Sequence, residues 1–234
     1  RNIDDFNFPL KKSFLKNSFP KTNRLGKRVE FIFEELIKQD DSFELLCSNL
    51  QLFQDKKTIG EIDYLFERKD VLFHLEISYK FYLYDESHLD SLINCWIGPN
   101  RKDSLKLKLS KLKLNQFPII NSEEFKQVQK TLNLNKPLYQ MLLLKAQLFI
   151  PFKKSIELPD NYNNCVEGSW LSMQNNHLLS EEDDYFIPEK KDWIINPKEN
   201  QKWYSKEILL IKVIEYHQRE FSPLVWIKTL ENTF

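Results

Sequence analysis

Glycine is scarce in this sequence, with only four in 234 residues. Loops that cradle phosphate groups need glycines at fixed spacing, because only glycine lets the backbone approach the phosphate closely. Neither G-x-G-x-x-G nor a Walker A sequence can be written anywhere in the chain. The sequence therefore excludes the common dinucleotide- and nucleotide-binding loops, and we expect no dinucleotide or nucleotide cofactor.

Cysteine and histidine are also few. Cys47, Cys95 and Cys165 are far apart and odd in number, so they form neither a C-x-x-C metal motif nor a disulfide framework. The four histidines lack H-x-x-x-H and H-E-x-x-H spacing, which argues against a zinc site. Unpaired thiols are typical of a reducing compartment, and we expect a cytoplasmic location.

Long apolar runs and an excess of one charge are absent as well. No run approaches the ~18 apolar residues that span a bilayer, so we expect no membrane partner. Lysine plus arginine balance aspartate plus glutamate at 34 each, and any basic surface must therefore be local. Hydrophobic residues make up 41% of the chain, which is enough for one substantial core.

Hydrophobic periodicity predicts an α/β protein. Apolar residues at helical spacing, beginning at Val29, predict a helix over 25–39. The segment 101–116 also alternates like a strand, but its leucines form a helical stripe and its composition favours a helix. The predicted strands cover 43–53, 58–68, 71–84, 140–150, 168–173, 184–195 and 223–230, and the other predicted helices cover 101–116, 122–132 and 203–218.

The chain is expected to build one core with additions at both ends. We predict an N-terminal arm over 1–24, because that segment is punctuated by proline and phenylalanine. The core is expected over 25–150, as a mixed sheet flanked by helices. Residues 151–234 are predicted to form an α/β extension that packs on the same core.

A polar face on the predicted hairpin GEIDYLFERKDVLFHLEISYKFYLY is the most informative feature. Strand alternation places Glu61 and Asp63 on one face, and Glu76 and Lys80 on the corresponding face of the next strand. Closing the hairpin at its K-D dipeptide pairs Asp63 with Glu76, with Cβ atoms ~5 Å apart. Like charges at that distance need a positive partner, either a divalent cation or Lys80.

A simpler interpretation is a half-exposed hairpin whose polar face is solvated. Two features favour a site instead. The polar face stacks three acids and a lysine in one register, and Glu30 lies at the shoulder of the helical core stripe rather than on the opposite face. The alternative for Glu30 is an ordinary surface glutamate at the edge of that stripe.

Three segments, RLGKRVEFIFEELI, the hairpin above and WIGPNRKDSLKLKLSKLKLNQ, resemble the uncharacterised bacterial family known as domain of unknown function 1853. The order of a helix with glutamate, then G-E-I-D, then a hydrophobic strand with glutamate is similar to the PD-(D/E)XK nuclease superfamily. That resemblance implies a restriction-endonuclease-like core and a metal-dependent nuclease.

The superfamily resemblance also implies roles for single residues. Asp63 and Glu76 would bind magnesium or manganese, with the main-chain carbonyl of Ile77 as a further ligand. Glu30 would act through a water or a second metal. The motif lysine should stand two residues after the glutamate, where this chain has Ser78. Lys80, ~6.6 Å further along the strand, is the expected replacement.

The segment after the hairpin is basic. A basic helix there is expected to follow a phosphate backbone, although a solvated lysine face is the alternative. The predicted nucleic-acid-binding residues are Lys102, Lys106, Lys108 and Lys111.

Together these observations predict a metal-dependent phosphodiesterase that acts on nucleic acid. The first alternative is a catalytically inactive nuclease-like protein that binds nucleic acid or a protein partner. The second is a structural or interaction module whose polar hairpin face holds no metal, because a fold does not guarantee a chemistry.

Overall fold

The computed structural model describes residues 21–22, 24–88, 90–198 and 201–229, so the predicted arm over 1–24 lies almost wholly outside the described residues. The chain divides into two units. The first contains Gly26–Lys80 and Lys106–Lys145, and the second contains Thr22–Leu25, Phe81–Leu105 and Ala146–Phe234. The predicted domain limits at residues 24 and 150 stay a prediction.

The described chain contains both helices and strands. The helices are α1 (Leu25–Gln39), α2 (Leu105–Lys111), α3 (Glu123–Thr131), α4 (Asp160–Asn163) and α5 (Lys206–Gln218). The strands are β1 (Glu44–Gln54), β2 (Lys57–Arg68), β3 (Val71–Tyr84), β4 (Trp96–Ile97), β5 (Leu138–Pro151), β6 (Val166–Trp170), β7 (Asp184–Phe186) and β8 (Trp226–Lys228).

The main sheet has the strand order β1-β2-β3-β5-β6, with β4 paired to β3. The pairs β1–β2, β2–β3 and β3–β4 are antiparallel, whereas β5–β6 is parallel. Strands β7 and β8 form a separate two-stranded sheet. The protein is therefore a mixed α/β fold with a mostly antiparallel sheet flanked by helices, which confirms the predicted fold class at this level.

The hairpin between β2 and β3 closes on a two-residue turn. Lys69 and Asp70 have φ values of 48° and 58°, the left-handed pair that a tight hairpin turn requires. From this turn the pairs run from Arg68↔Val71 to Tyr64↔Leu75. The predicted hairpin register is confirmed over this stretch.

Helix α1 packs on the hairpin through a group of buried apolar residues, here termed the α1 cluster. Phe33 and Ile37 are buried, whereas Ile32 and Leu36 of the same helix are only half-buried. The Tyr64 hydroxyl donates a hydrogen bond to the main-chain carbonyl of Glu30 at 2.6 Å, which ties the helix to β2. The buried members of the α1 cluster are Phe33, Ile37, Phe43, Tyr64, Phe66, Phe73, Leu75, Ile77 and Met141.

A second group, the α3 cluster, joins the hairpin to the chain after α2. Ser122 begins α3 because its hydroxyl accepts the main-chain N–H of Phe125 at 3.1 Å. Phe125 is fully buried against residues of β1, β2 and β3. The buried members of the α3 cluster are Leu52, Ile62, Leu65, Leu72, Ile119, Phe125 and Leu134.

The predicted helix over 101–116 is confirmed in part. It begins at Leu105, continues as a π-helix over Leu112–Gln116 and ends as a 3₁₀-helix over Phe117–Asn121. Pro118 has no main-chain N–H to extend an α-helical ladder, which is consistent with the change at that point. The π-helical turn lies over the polar face of β3, the strand that carries Glu76.

The second unit holds aromatic side chains that pack against one another. Trp96 and Trp193 are buried, and the Trp170 indole donates a hydrogen bond to the Tyr84 carbonyl at 2.9 Å. The predicted strand over 184–195 is shorter than expected, because β7 ends at Phe186 and a 3₁₀-turn follows over Lys190–Asp192. No helix among the described residues is long and apolar enough to cross a membrane.

Truncation of apolar side chains on α1 tests which face of the helix contributes most to the free energy of unfolding. Ile37→Ala should lower the free energy of unfolding by about 2–5 kcal/mol, because the deleted atoms leave a cavity in a fully buried position. Ile32→Ala, on the same helix but half-buried, is the matched control and should cost about 1 kcal/mol. Urea denaturation measures both, and equal losses would contradict the packing described here.

Candidate functional site

The paired ladder between β2 and β3 stops one residue before Asp63. The last pair is Tyr64↔Leu75, and beyond it the Asp63 carboxylate accepts the main-chain N–H of Ile77 at 2.8 Å. In a regular strand, Ile62 and Tyr64 would lie on the same face of the sheet. Here Ile62 packs in the α3 cluster and Tyr64 packs in the α1 cluster, so the alternation of faces is interrupted at Asp63. The Asp63 carboxylate therefore replaces a main-chain hydrogen bond between β2 and β3. It lies next to the main chain of Ile77, the residue after Glu76.

Glu76 is fully buried, which makes the solvated-face interpretation wrong at this position. One carboxylate oxygen hydrogen-bonds to His74 Nε2 at 2.9 Å. The other accepts a short hydrogen bond from the Gln116 side-chain amide. A buried carboxylate costs free energy unless its oxygens are satisfied, and each oxygen of Glu76 has a partner.

The protonation of His74 follows from its other neighbour. The Gln140 amide nitrogen donates to the Phe117 carbonyl at 2.6 Å, and a carbonyl can only accept, which sets the orientation of the amide. The same nitrogen lies 3.1 Å from His74 Nδ1, so Nδ1 accepts and Nε2 carries the proton. His74 is thus a neutral imidazole that donates to Glu76, and it does not cancel the carboxylate charge.

Asp63 and Glu76, here termed the carboxylate site, interact electrostatically. Burial, and then the charge of Glu76, raise the pKa of Asp63 from its ordinary value to about 7, although the Ile77 N–H lowers it. Glu30 raises the same pKa to a smaller extent, and Lys108 lowers it. Two acids in a partly dry environment favour a positive charge beside them, and Lys108 is near enough to lower the pKa of Asp63.

Glu30 is less closely engaged with this pair. Its carboxylate forms an ion pair with Lys27 at 2.6 Å, and the Lys27 ammonium also donates to the Asn49 side chain at 2.8 Å. Burial lowers the pKa of Lys27, but the hydrogen bond and charge of Glu30 outweigh it, and the pKa is raised. Glu61 and Asp63 contribute to this rise, so Lys27 lies in the field of the acids.

The predicted basic residues do not share one environment. Lys102 precedes α2, belongs to the second unit and forms an exposed ion pair with Glu220 at 2.6 Å. Lys106 and Lys111 are exposed on α2. Lys108 is half-buried, and its ammonium donates to the Gln116 side-chain oxygen at 3.3 Å.

Lys80, the predicted motif lysine, is half-buried on β3. Its charge lowers the pKa of Lys108, which Asp63 and Glu76 raise. Lys108 is the cation whose charge lowers the pKa of Asp63. The role of Lys80 as a catalytic residue stays a prediction.

Any metal ion at the carboxylate site would be bound through oxygen atoms. Among the residues that the structure describes, no cluster of three or more His, Cys, Asp or Glu side chains is arranged to hold a metal ion. The predicted ligand set has two carboxylates, those of Asp63 and Glu76, and the main-chain carbonyl of Ile77. It stays a prediction.

Comparison with known proteins places the chain in a family. The profile described as Domain of unknown function (DUF1853) matches residues 9–232. The chain belongs to the DUF1853 family. No curated protein and no solved structure matches it.

Sequence reasoning missed three residues of the site in this DUF1853 protein. His74 could have been found, because it precedes Glu76 by two residues and therefore shares its face. Gln116 and Gln140 carry no such signal, since they are 40 and 66 residues away from their partners in the chain. Lys108 was predicted to bind nucleic acid, which stays a prediction, and its ammonium lies beside Gln116.

The raised pKa of Asp63 predicts a pH-dependent stability. Unfolded Asp63 loses its proton near pH 4 and folded Asp63 near pH 7, so the folded state loses stability as pH rises between these values. Asp63→Asn should therefore be more stable than the wild type by about 2–4 kcal/mol at pH 8 in a chelator, with no difference near pH 4. Denaturant titrations across this range measure the effect.

Asp55→Asn, in the exposed turn between β1 and β2, is the matched control for Asp63→Asn. Its stability difference from the wild type should not depend on pH in the same way. A difference between Asp63→Asn and the wild type that stayed constant from pH 4 to pH 8 would contradict the electrostatic assignment.

The hydrogen-bond chain predicts one tautomer for His74. Long-range ¹H–¹⁵N correlation spectra at pH 7 should show a protonated Nε2 and an unprotonated Nδ1, with exposed His88 as an internal reference. Gln140→Leu removes the donor to Nδ1 and should destabilise the fold by about 1–3 kcal/mol. A His74 protonated at Nδ1 would be incompatible with the proposed orientation of Gln140.

Proposed function

We propose that this DUF1853 chain is a metal-dependent phosphodiesterase that acts on nucleic acid, with a PD-(D/E)XK-like core. The observation that supports it is the carboxylate site, where Asp63 leaves the strand ladder and lies in the field of buried Glu76. We further propose a cytoplasmic location, in keeping with three cysteines that form no disulfide.

The chemistry of the donors fits magnesium or manganese. Both ions prefer oxygen ligands, and the site offers two carboxylates and the nearby main chain of Ile77. The pKa of Asp63 is raised to about 7 because burial and a like charge act on it, and a divalent cation would relieve both effects. Each Glu76 oxygen that accepts one hydrogen bond retains a lone pair for a ligand.

In this proposal Asp63, Glu76 and the Ile77 carbonyl would hold the cation, which supplies Lewis-acid activation of a phosphate and of water. His74 and Gln116 keep the Glu76 carboxylate in a fixed orientation, one from each oxygen. Glu30 lies at the margin of the site. The exposed lysines Lys106 and Lys111 of α2, together with Lys102, are proposed to contact the nucleic-acid backbone through its phosphates.

A catalytically inactive relative that binds nucleic acid or a protein partner is the second candidate. The Glu30 carboxylate is engaged by Lys27, and Ser78 stands where the nuclease motif has lysine. Both observations are consistent with a site that has lost part of its machinery.

Cleavage assays with magnesium or manganese on a panel of single- and double-stranded DNA and RNA test the proposal. Wild type should cleave at least one substrate, and Asp63→Asn should reduce cleavage by about a hundredfold or more, because the amide removes the charge that holds the cation. Magnesium should also raise the melting temperature of the wild type at pH 8 and not that of Asp63→Asn.

Asp55→Asn is again the control and should cleave like the wild type. Equal cleavage by wild type and Asp63→Asn would indicate a contaminating nuclease. If neither cleaves and magnesium leaves both melting temperatures unchanged, the enzymatic proposal fails and the binding role is favoured.

A further inference from the structure

The helical segment after residue 105 brings a lysine towards the carboxylate site through one side-chain amide. The Lys108 ammonium donates to the Gln116 oxygen at 3.3 Å, and the Gln116 nitrogen donates to Glu76. Lys106 and Lys111 of the same helix are exposed, whereas Lys108 is half-buried. Of these three lysines, Lys108 is therefore the one directed towards the acids.

The π-helix accounts for this geometry. In a continuous α-helix, residues eight apart such as Lys108 and Gln116 would lie about 80° apart around the axis. The wider turn over Leu112–Gln116 takes more residues per turn and reduces that offset, so both side chains reach the same side. Isolated π-turns of this kind are frequent at functional sites.

Lys108 retains hydrogen-bonding capacity. Its ammonium has three donors, and within the described part of the chain its hydrogen bond goes to the neutral amide of Gln116 rather than to a carboxylate. Lys27 differs, because it is held by the Glu30 carboxylate at 2.6 Å. A lysine oriented by a neutral amide can transfer its remaining donors to an incoming anion without breaking an ion pair.

The electrostatic environment agrees with this placement. Burial lowers the pKa of Lys108 most, while Asp63 and Glu76 raise it and Lys80 and Lys111 lower it. The ammonium thus lies in the field of both acids of the carboxylate site.

We propose that Lys108 is the lysine that contacts the substrate phosphate at the carboxylate site, and that Gln116 is the residue that positions it. This inference rests on the proposed function and assigns to α2 the lysine that Ser78 removes from β3. The Lys108 donors would bind a non-bridging phosphate oxygen and stabilise the negative charge that grows there during hydrolysis. A substrate phosphate would then lie between α2 and the middle of β2 and β3, where Asp63 and Glu76 stand.

Lys108→Met tests the proposal, because methionine keeps much of the stem and removes the charge and the donors. On a substrate that the wild type cleaves, kcat should fall about a hundredfold or more, with the magnesium-dependent rise in melting temperature retained. Lys126→Met, at an exposed position of α3 where the lysine pairs with Glu123, should leave kcat within about twofold of the wild type. Lys108→Gln serves as a second replacement if the methionine variant does not fold.

Lys80→Met separates this inference from the proposed function. If Lys80→Met lowers kcat about a hundredfold and Lys108→Met does not, the inference is overturned, while the loss of cleavage in Asp63→Asn still supports the function. If the wild type cleaves no substrate, binding of a fluorescein-labelled oligonucleotide decides. About tenfold weaker binding by Lys108→Met but not by Lys126→Met supports the phosphate contact, and equal binding by the two variants overturns it.

Discussion

The hydrogen-bonded burial of the Glu76 carboxylate is the interaction on which the rest of the first unit depends. Removing an ionised carboxylate from water costs several kcal/mol, and only donors placed at both oxygens offset that cost. His74 supplies one donor from the same strand, and Gln116 supplies the other from the π-turn. The segment 112–121 must therefore lie over β3 for the fold to tolerate this residue.

The same requirement extends to β5. Gln140 connects the Phe117 carbonyl to His74, so one amide joins the 3₁₀-turn, the imidazole and the strand that follows. Apolar packing in the α3 cluster carries the segment to this position, with Ile119 and Phe125 buried against the hairpin. The polar chain and the apolar cluster thus support each other, since packing excludes water and the hydrogen bonds satisfy the groups that lose it.

This arrangement explains why the site demands positive charge. His74 is a neutral donor and Gln116 is a neutral amide, so the Glu76 charge is oriented but not cancelled. Asp63 stands beside it because it replaces a ladder bond to Ile77, and the pKa of Asp63 rises to about 7 as a result of burial and repulsion. Lys108, whose charge lowers the pKa of Asp63, and the divalent cation that we propose both supply such a charge.

The sequence by itself determined the local elements and the pairing of the hairpin. The limits of α1 agree with its helical periodicity, and the left-handed turn at Lys69-Asp70 sets the register that brings Asp63 near Glu76. Both follow from short-range steric and hydrophobic patterns. Family membership is likewise a property of the sequence alone.

Only the tertiary structure decided that the polar face of β3 is buried at His74 and Glu76, that Gln116 and Gln140 complete the Glu76 network, and that Lys108 is half-buried beside Gln116. The sequence of a strand with alternating polar residues does not show whether its polar face contacts water or packs against another segment of the chain. The cover comes from residues 40 or more positions away, placed by a π-turn and an apolar cluster that no local pattern specifies. Burial depends on residues that are far apart in the sequence, and the pKa values of the charged groups depend on burial.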